Sequence, residues 1–361
     1  MKKVLVVLML LMLAVGCQSS DDLDDPTKAE KIPGDFNVDI TGISDPPRWF
    51  TPVSWLSDNK IFGQAGYNSI IWHTDTKEQK LLKEPTWSST ISPDGKYLAY
   101  TNEQGLAVIN LESGEEIWPQ SLEGEKEQLL NPVPKLWSPD GSKLMYSYDF
   151  EWTSDLYIYD IAAGTVKEYR LKKEDSSLVS PVRWLSDEEI LFVVGSVTSK
   201  TGEQEYTEAG YRNNLKVADL DGNSKAYTDT EDFTYVWPVG VSADNEKVAY
   251  ILYHVHNGMK ELHLLSLKDG NDETLLKDGD LMFATLTADG QYLVYVSQEQ
   301  PEGTGQLYAM QSHSKKVKPV LDIKYHFDVV EMLSNNRGDQ VYVTIKEAGR
   351  DYNHKLLTIT H

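Results

Sequence analysis

From about residue 50 to the C-terminus, apolar and polar residues alternate in short runs broken by clusters of turn-forming residues. Tyr97-Leu98-Ala99-Tyr100, Leu106-Ala107-Val108-Ile109, Lys143-Leu144-Met145-Tyr146 and Leu156-Tyr157-Ile158-Tyr159 are typical runs. A period near two over such short lengths predicts β-strands, and the Ser, Pro, Asp, Gly and Asn between them predict tight turns. The longest apolar run is Val4 to Val15, and beyond it no segment carries a helical period.

The runs belong to a repeat. Ser92-Pro93-Asp94-Gly95-Lys96-Tyr97-Leu98-Ala99-Tyr100 and Ser138-Pro139-Asp140-Gly141-Ser142-Lys143-Leu144-Met145-Tyr146 are nearly one phrase. Further copies start at Trp55-Leu56-Ser57-Asp58, Trp184-Leu185-Ser186-Asp187, Ser242-Ala243-Asp244-Asn245, Thr287-Ala288-Asp289-Gly290 and Ser334-Asn335-Asn336. In the two fullest copies Pro presets φ, Asp bonds back to the backbone and Gly accepts a positive φ, and the other copies keep parts of this chemistry. A strand precedes each turn, two alternating runs follow it, and a short fourth strand often closes the unit, as at Glu273-Thr274-Leu275-Leu276. Four-stranded units repeating every ~47 residues cannot cover their own faces and must stack on neighbours. The fold expected for 35–361 is therefore all-β, a single β-propeller of seven four-stranded blades, with six or eight as the alternatives. Residues 36–42 alternate ahead of the first copy, whereas the last copy runs out of chain at His361. An N-terminal strand is thus expected to complete the last blade and seal its edge. The repeat phrase resembles that of TolB-like propellers, is shared with the propellers of prolyl-oligopeptidase-type enzymes, and is more distantly similar to WD repeats. That resemblance implies architecture and says little of function. TolB itself has six blades and a separate N-terminal domain, so a role in the Tol system is not carried over.

The N-terminus predicts an address. Lys2-Lys3 precede the apolar run, which is too short for a mature spanning helix and suits a signal peptide. It ends at Ala14-Val15-Gly16-Cys17, which resembles the lipobox of bacterial lipoproteins and implies cleavage after residue 16 and diacylation of Cys17. Cys17 is the only cysteine, so no intramolecular disulfide is possible. Two acyl chains would anchor the protein stably where one would be marginal. Residues 17–34 are polar and acidic, with four aspartates between Asp21 and Asp25, and are expected to form a flexible lipidated tether. The expected location is the extracytoplasmic side of the cell membrane, with the membrane met only through the lipid.

Composition narrows function by exclusion. The 361 residues carry a formal net charge of -22 with no basic stripe, which argues against nucleic acid. There is no Gly-x-Ser-x-Gly elbow, P-loop or Rossmann fingerprint, and the sole cysteine is the lipid site. No cofactor and no catalytic residue is expected. His254 and His256, two apart on one strand, would project together and could ligate a metal or simply mark a strand end. They carry the alternative reading, a metal-dependent envelope lyase or hydrolase with a histidine site in the central channel. The Asp219-x-Asp221-x-Asn223 spacing resembles a calcium loop but coincides with a repeat turn.

Aromatic residues point to binding. In a propeller, the loops joining second to third strands and those joining blades open on one side. Tyr148, Trp152, Tyr211, Tyr235 and Trp237 fall near those loops, as does the longest insertion, Ser196 to Asn214. Tyr and Trp are favoured anchors, although the same rings could fill gaps between blades. The leading expectation is a non-catalytic, monomeric binding or scaffold module for an envelope protein, peptide or glycan, with Trp152, Tyr211, Tyr235 and Trp237 on its binding face.

Overall fold

The computed structural model describes residues 36–43, 46–119, 131–149, 154–172, 178–198, 210–299, 304–323, 327–347 and 352–360. The expected signal peptide, Cys17 and the expected tether lie outside them. Among the described residues there are 28 strands and no helix. The strands, β1 to β28 in chain order, form seven four-stranded antiparallel units. The fourth and fifth units share one sheet through a single parallel bridge, Arg212 to Thr234. The protein is a β-propeller.

The first strands of the units lie innermost: β2 (Phe50–Ser57), β6 (Ser88–Ile91), β10 (Val133–Trp137), β14 (Leu178–Trp184), β18 (Thr234–Val241), β22 (Leu281–Leu286) and β26 (Phe327–Ser334). They are the strands that approach one another across unit boundaries. Because successive side chains leave opposite faces, each sheet offers one apolar set to the unit before it and another to the unit after. An apolar cluster fills each join. Phe62 and Ile71 of the first unit meet Leu98 and Tyr100 of the second. Val294 and Leu307 of the sixth meet Val343 and Leu357 of the seventh. The last cluster sets Trp55 and Trp72 of the first unit against Tyr342 of the seventh, so the core returns to its start.

The seventh unit is built from both ends of the chain. Strand β1 (Asn37–Gly42) pairs antiparallel with β28 (Tyr352–Thr360), from Asn37 opposite Thr360 to Gly42 opposite Lys355. The residues expected to close the ring do so. Phe36, 1% exposed, locks this strand by packing on Tyr292 of the sixth unit with ring centroids 5.0 Å apart.

The repeated turns share one hydrogen-bond plan. Ser138 Oγ donates to Asp140 Oδ1 at 2.7 Å, that carboxylate accepts Ser142 N–H at 2.9 Å, and Ser138 Oγ accepts Lys143 N–H at 2.9 Å. Ser92/Asp94, Ser242/Asp244 and Thr287/Asp289 repeat the pattern. The Ser138 hydroxyl and the Ser142 amide hold the Asp140 carboxyl down at about 2. These bonds are why Asp is wanted there. Gly338 has φ +81°, and a Cβ on it would lie 2.5 Å from Asp289 N of the preceding turn, so backbone conformation and turn packing both demand glycine. Asp219 likewise accepts the amides of Asp221 and Asn223, at 3.0 and 2.8 Å, which explains that spacing as turn chemistry.

Two innermost strands are clasped by tryptophan. Trp55 Nε1–H donates to Leu333 O of the seventh unit at 3.1 Å, and Trp137 Nε1–H donates to Thr90 O of the second at 3.3 Å.

Closure by β1 sets a test. A chain beginning at residue 35 should melt cooperatively near the full-length temperature, whereas one beginning at residue 43 should lose its cooperative transition by circular dichroism. Phe36→Ala should cost about 3–5 kcal/mol in denaturant titration; a cost below ~1 kcal/mol would show that the seal does not depend on that ring.

Candidate binding site on the loop side

The sequence-selected aromatics separate into three groups. Trp152 lies outside the described residues. Tyr211 sits in β16 (Gly210–Asp219), paired with Val197 of β15 (Glu189–Thr198). The two ends of the span Ser196 to Asn214, read above as one insertion, are strand, paired from Ser196–Arg212 to Thr198–Gly210, and residues 199–209 lie outside the described residues. Tyr148 is 3% exposed and packs at 5.7 Å edge-on to Tyr157, so it is a core residue of its unit and not a loop anchor.

Tyr235 and Trp237 are brought together. They lie in β18 and not in the loop before it, two residues apart and so on one face of the strand. The register with β19 (Lys247–His254) sets Tyr235 directly opposite Tyr253 and leaves Trp237 on the diagonal. Tyr235 and Tyr253 stack with centroids 6.3 Å apart and planes 20° apart; Tyr253 and Trp237 do so at 5.3 Å and 24°. Such cross-strand pairs contribute ~0.5–1.5 kcal/mol each beyond area burial. Tyr253 is the middle rung and was missed from sequence; its signal was the alternation Tyr235, Trp237 together with the pairing partner of Tyr235. Lys260 Nζ lies 6.0 Å from the Tyr253 ring centre, held there by donating to Leu281 O at 2.6 Å. Trp237 is 42% exposed and Phe283, at the matching register of β22, is 41% exposed. Exposed apolar rings on a rigid strand are costly in water and suit a flat apolar ligand face.

The two histidines part company. Strand β19 ends at His254, whose Nε2 lies 3.8 Å from Glu261 Oε1, while His256 stands in the following turn with its ring 4.6 Å from Phe233. The shared strand face expected of residues 254 and 256 does not form, because the chain has already turned. Beside them is a network not foreseen from sequence. His263 sits between Glu261 at 3.2 Å and Asp272 at 3.3 Å, and stacks on Tyr250 at 4.9 Å. Tyr250 O–H donates to Asp272 Oδ2 at 2.6 Å, and Lys277 to Glu261 Oε1 at 3.0 Å. Burial pushes the Glu261 and Asp272 carboxyls up, but these hydrogen bonds win and hold both below their ordinary values. The cluster ties β19 to its two outer neighbours. Among the described residues, no group of three or more His, Cys, Asp or Glu side chains is arranged to hold a metal ion.

Two other titratable groups sit in the seventh unit. Burial raises the Glu331 carboxyl, on innermost β26, to about 7. Burial lowers His354 to about 4; its Nδ1 is 2.7 Å from the Tyr342 hydroxyl and 3.2 Å from Thr344 Oγ1.

Neither a known protein family nor a curated protein matches this chain by sequence. Solved structures do match. An oligogalacturonate lyase in complex with manganese overlays with a TM-score of 0.63 at 14% identity, covering 91% of this chain and 97% of that one. The β-propeller domain of the Trilobed protease from Pyrococcus furiosus, described as having an open velcro topology, overlays at 0.54 and 16%, covering 86% and 95%. TolB from Acinetobacter baumannii overlays at 0.43 and 19%, covering 71% and 60%. Identities this low speak to the fold alone, and the fold is the propeller that the repeats imply.

The two seventh-unit groups oppose each other in pH. A carboxyl raised to about 7 binds more protons folded than unfolded between about 4.5 and 7, so its penalty grows as pH rises through that window and is complete above it. A histidine lowered to about 4 binds fewer protons folded than unfolded, so its penalty grows as pH falls from about 6.5 to 4. Glu331→Gln should therefore raise Tm by roughly 5 °C at pH 8 and leave it unchanged at pH 4. It should also uncover a steady loss of stability on acidification below pH 6.5. An equal gain at both pH values in calorimetry would assign the effect to packing instead.

Proposed function

We propose that this chain is a lipid-anchored extracytoplasmic protein, attached through Cys17, whose seven-bladed propeller is a binding module and not an enzyme. The binding face is the loop side, and the partner is a protein, peptide or glycan of the cell envelope. The observation that carries the reading is the stacked ladder Tyr235–Tyr253–Trp237, exposed at its Trp237 end and held on two paired strands. A rigid aromatic surface binds at low ordering cost, because the rings are already fixed by one another. It suits the apolar face of a sugar or an apolar peptide side chain. The net charge of -22 disfavours a polyanion and favours a neutral or cationic partner. This weighs against an acidic oligosaccharide of the kind named in the lyase neighbour. That neighbour's manganese favours the enzyme reading, in which His254 would have to find ligands from other loops.

Photo-crosslinking amino acids placed at Tyr235 and Trp237 should capture a discrete partner in cells, while the same probes at Lys96 and Asp221 on the turn side should not. Trp237→Ala should reduce capture through Tyr235 by about tenfold or more. Crosslinks from the turn side alone would reverse the choice of face. Cys17→Ser should release the protein from the membrane fraction. Stoichiometric manganese in the purified protein, lost in His254→Ala, would replace the binding reading with the enzymatic one.

A further inference from the structure

At the opposite end of the ring the innermost strands enclose a cavity of about 490 Å³, within the usual range for a small-ligand site. Its walls are mostly apolar, with Trp55, Trp137, Trp184 and Leu136 among them. Arg183 is the only charged residue among the described residues that line it. Register places Ser54, Thr90, Leu136 and Gly240 where Arg183 stands, so this unit alone among those five sets a cation at that level. One guanidinium N–H donates to Val241 O at 3.1 Å. No ion pair to Arg183 occurs among the described residues. Burial pulls its pKa below the ordinary value, with the more distant Asp244 opposing, yet a guanidinium stays charged at any physiological pH.

Two lining residues also carry a polar atom that is unpaired and buried away from the cavity surface. Trp184 is 3% exposed, and its Nε1–H has no acceptor, although Trp55 and Trp137 at the matching position each donate to the preceding unit. Asn245 is held at a positive φ of 59°, with Nδ2 donating to Leu185 O at 2.7 Å. That bond leaves Asn245 Oδ1 buried and without a donor. A buried donor or acceptor left unmade costs ~1–3 kcal/mol, so this end of the channel is less completely satisfied than its counterparts in the other units.

We propose that this turn-side cavity binds a carboxylate that carries an apolar body. The carboxylate meets Arg183, and the apolar body lies against the apolar part of the lining. A peptide's C-terminal residue and a free acylated amino acid share that chemistry. Arg suits the task because its remaining N–H groups can donate bidentately to a planar carboxylate while one is spent on Val241 O. This site is separate from the loop-side ladder, so either can fail without the other.

The test uses N-acetyl-L-phenylalanine as probe and its neutral amide as control, titrated into the full chain in detergent by calorimetry. Tryptophan fluorescence gives a second readout, since three tryptophans line the cavity. The acid should bind saturably, and the amide at least about tenfold more weakly. Arg183→Gln should weaken the acid by a similar factor with Tm unchanged, and Arg183→Lys should retain part of it. An apolar tetrapeptide with a free C-terminus, compared with its amidated form, separates the chain-end source from the small acid. No saturation up to about 10 mM, or equal binding of acid and amide by the wild type, overturns the proposal even if Arg183→Gln does not fold.

Discussion

Every unit of this molecule is a sheet that is apolar on both faces, and the architecture follows from the need to cover both. A four-stranded sheet with one neighbour still leaves one apolar face in water; only a closed ring leaves none. The clusters at the joins show the requirement met at each boundary, including the return from the seventh unit to the first, where Tyr342 lies edge-on to Trp72 at 6.2 Å. Closure then depends on a single pairing, β1 with β28, because the seventh unit has no fourth strand of its own near the C-terminus. Phe36 takes part in two levels of this, ending the sealing strand and filling the sixth-to-seventh join. The edge is removed and the core completed by the same few residues.

A ring closed in this way has two unlike ends. The turn side is made of short Ser/Thr-x-Asp turns whose side chains are consumed in holding their own backbone, as at Asp140 and Asp289. Such residues have little left over for a partner. Trp237, in contrast, stands exposed on innermost β18 and takes no part in those turns. Between the ends, charge is sparse. Glu331 and Arg183 are both on innermost strands, and burial disfavours the charged form of each. Only the carboxyl can escape by taking a proton; the guanidinium must keep its charge and be solvated by carbonyl oxygens or a ligand.

The sequence made the fold legible because the repeat states the same constraint seven times. The Ser-Pro-Asp-Gly phrase fixes a turn through hydrogen bonds local to six residues, and local chemistry of that kind survives transfer to any tertiary context. The closing strand was legible through an inventory: one strand short at the C-terminus, one alternating run spare at residues 36–42. The site was only half legible. Tyr235 and Trp237 were legible as aromatic residues near a loop but not as neighbours on a strand face, and Tyr253 joins them through inter-strand register, which bulges such as that between Pro238 and Gly240 alter. His254 and His256 misled because strand periodicity says which residues share a face only while the strand continues, and β19 ends between them. The unpaired Trp184 N–H is legible from no local pattern at all. Its sequence neighbours match those of Trp55, and the difference lies in the unit before it.

Departures from the repeat are concentrated in the fourth and fifth units. These two share a sheet through the Arg212–Thr234 bridge, carry the longest strand pair, and hold Arg183, Trp184, Asn245 and the aromatic ladder. The other joins could not easily host such groups, since a cation or an unpaired donor there would displace a side chain that covers a neighbour. A direct hydrogen-bonded bridge between adjacent sheets supplies some of the cohesion that apolar contact supplies elsewhere. Arg212 marks the same boundary, donating to Thr230 O at 3.0 Å while its Nε is buried without a partner. The ring is held by its regular joins, and the fourth and fifth units carry its departures from regularity: exposed aromatic rings towards one end and a solitary cation towards the other.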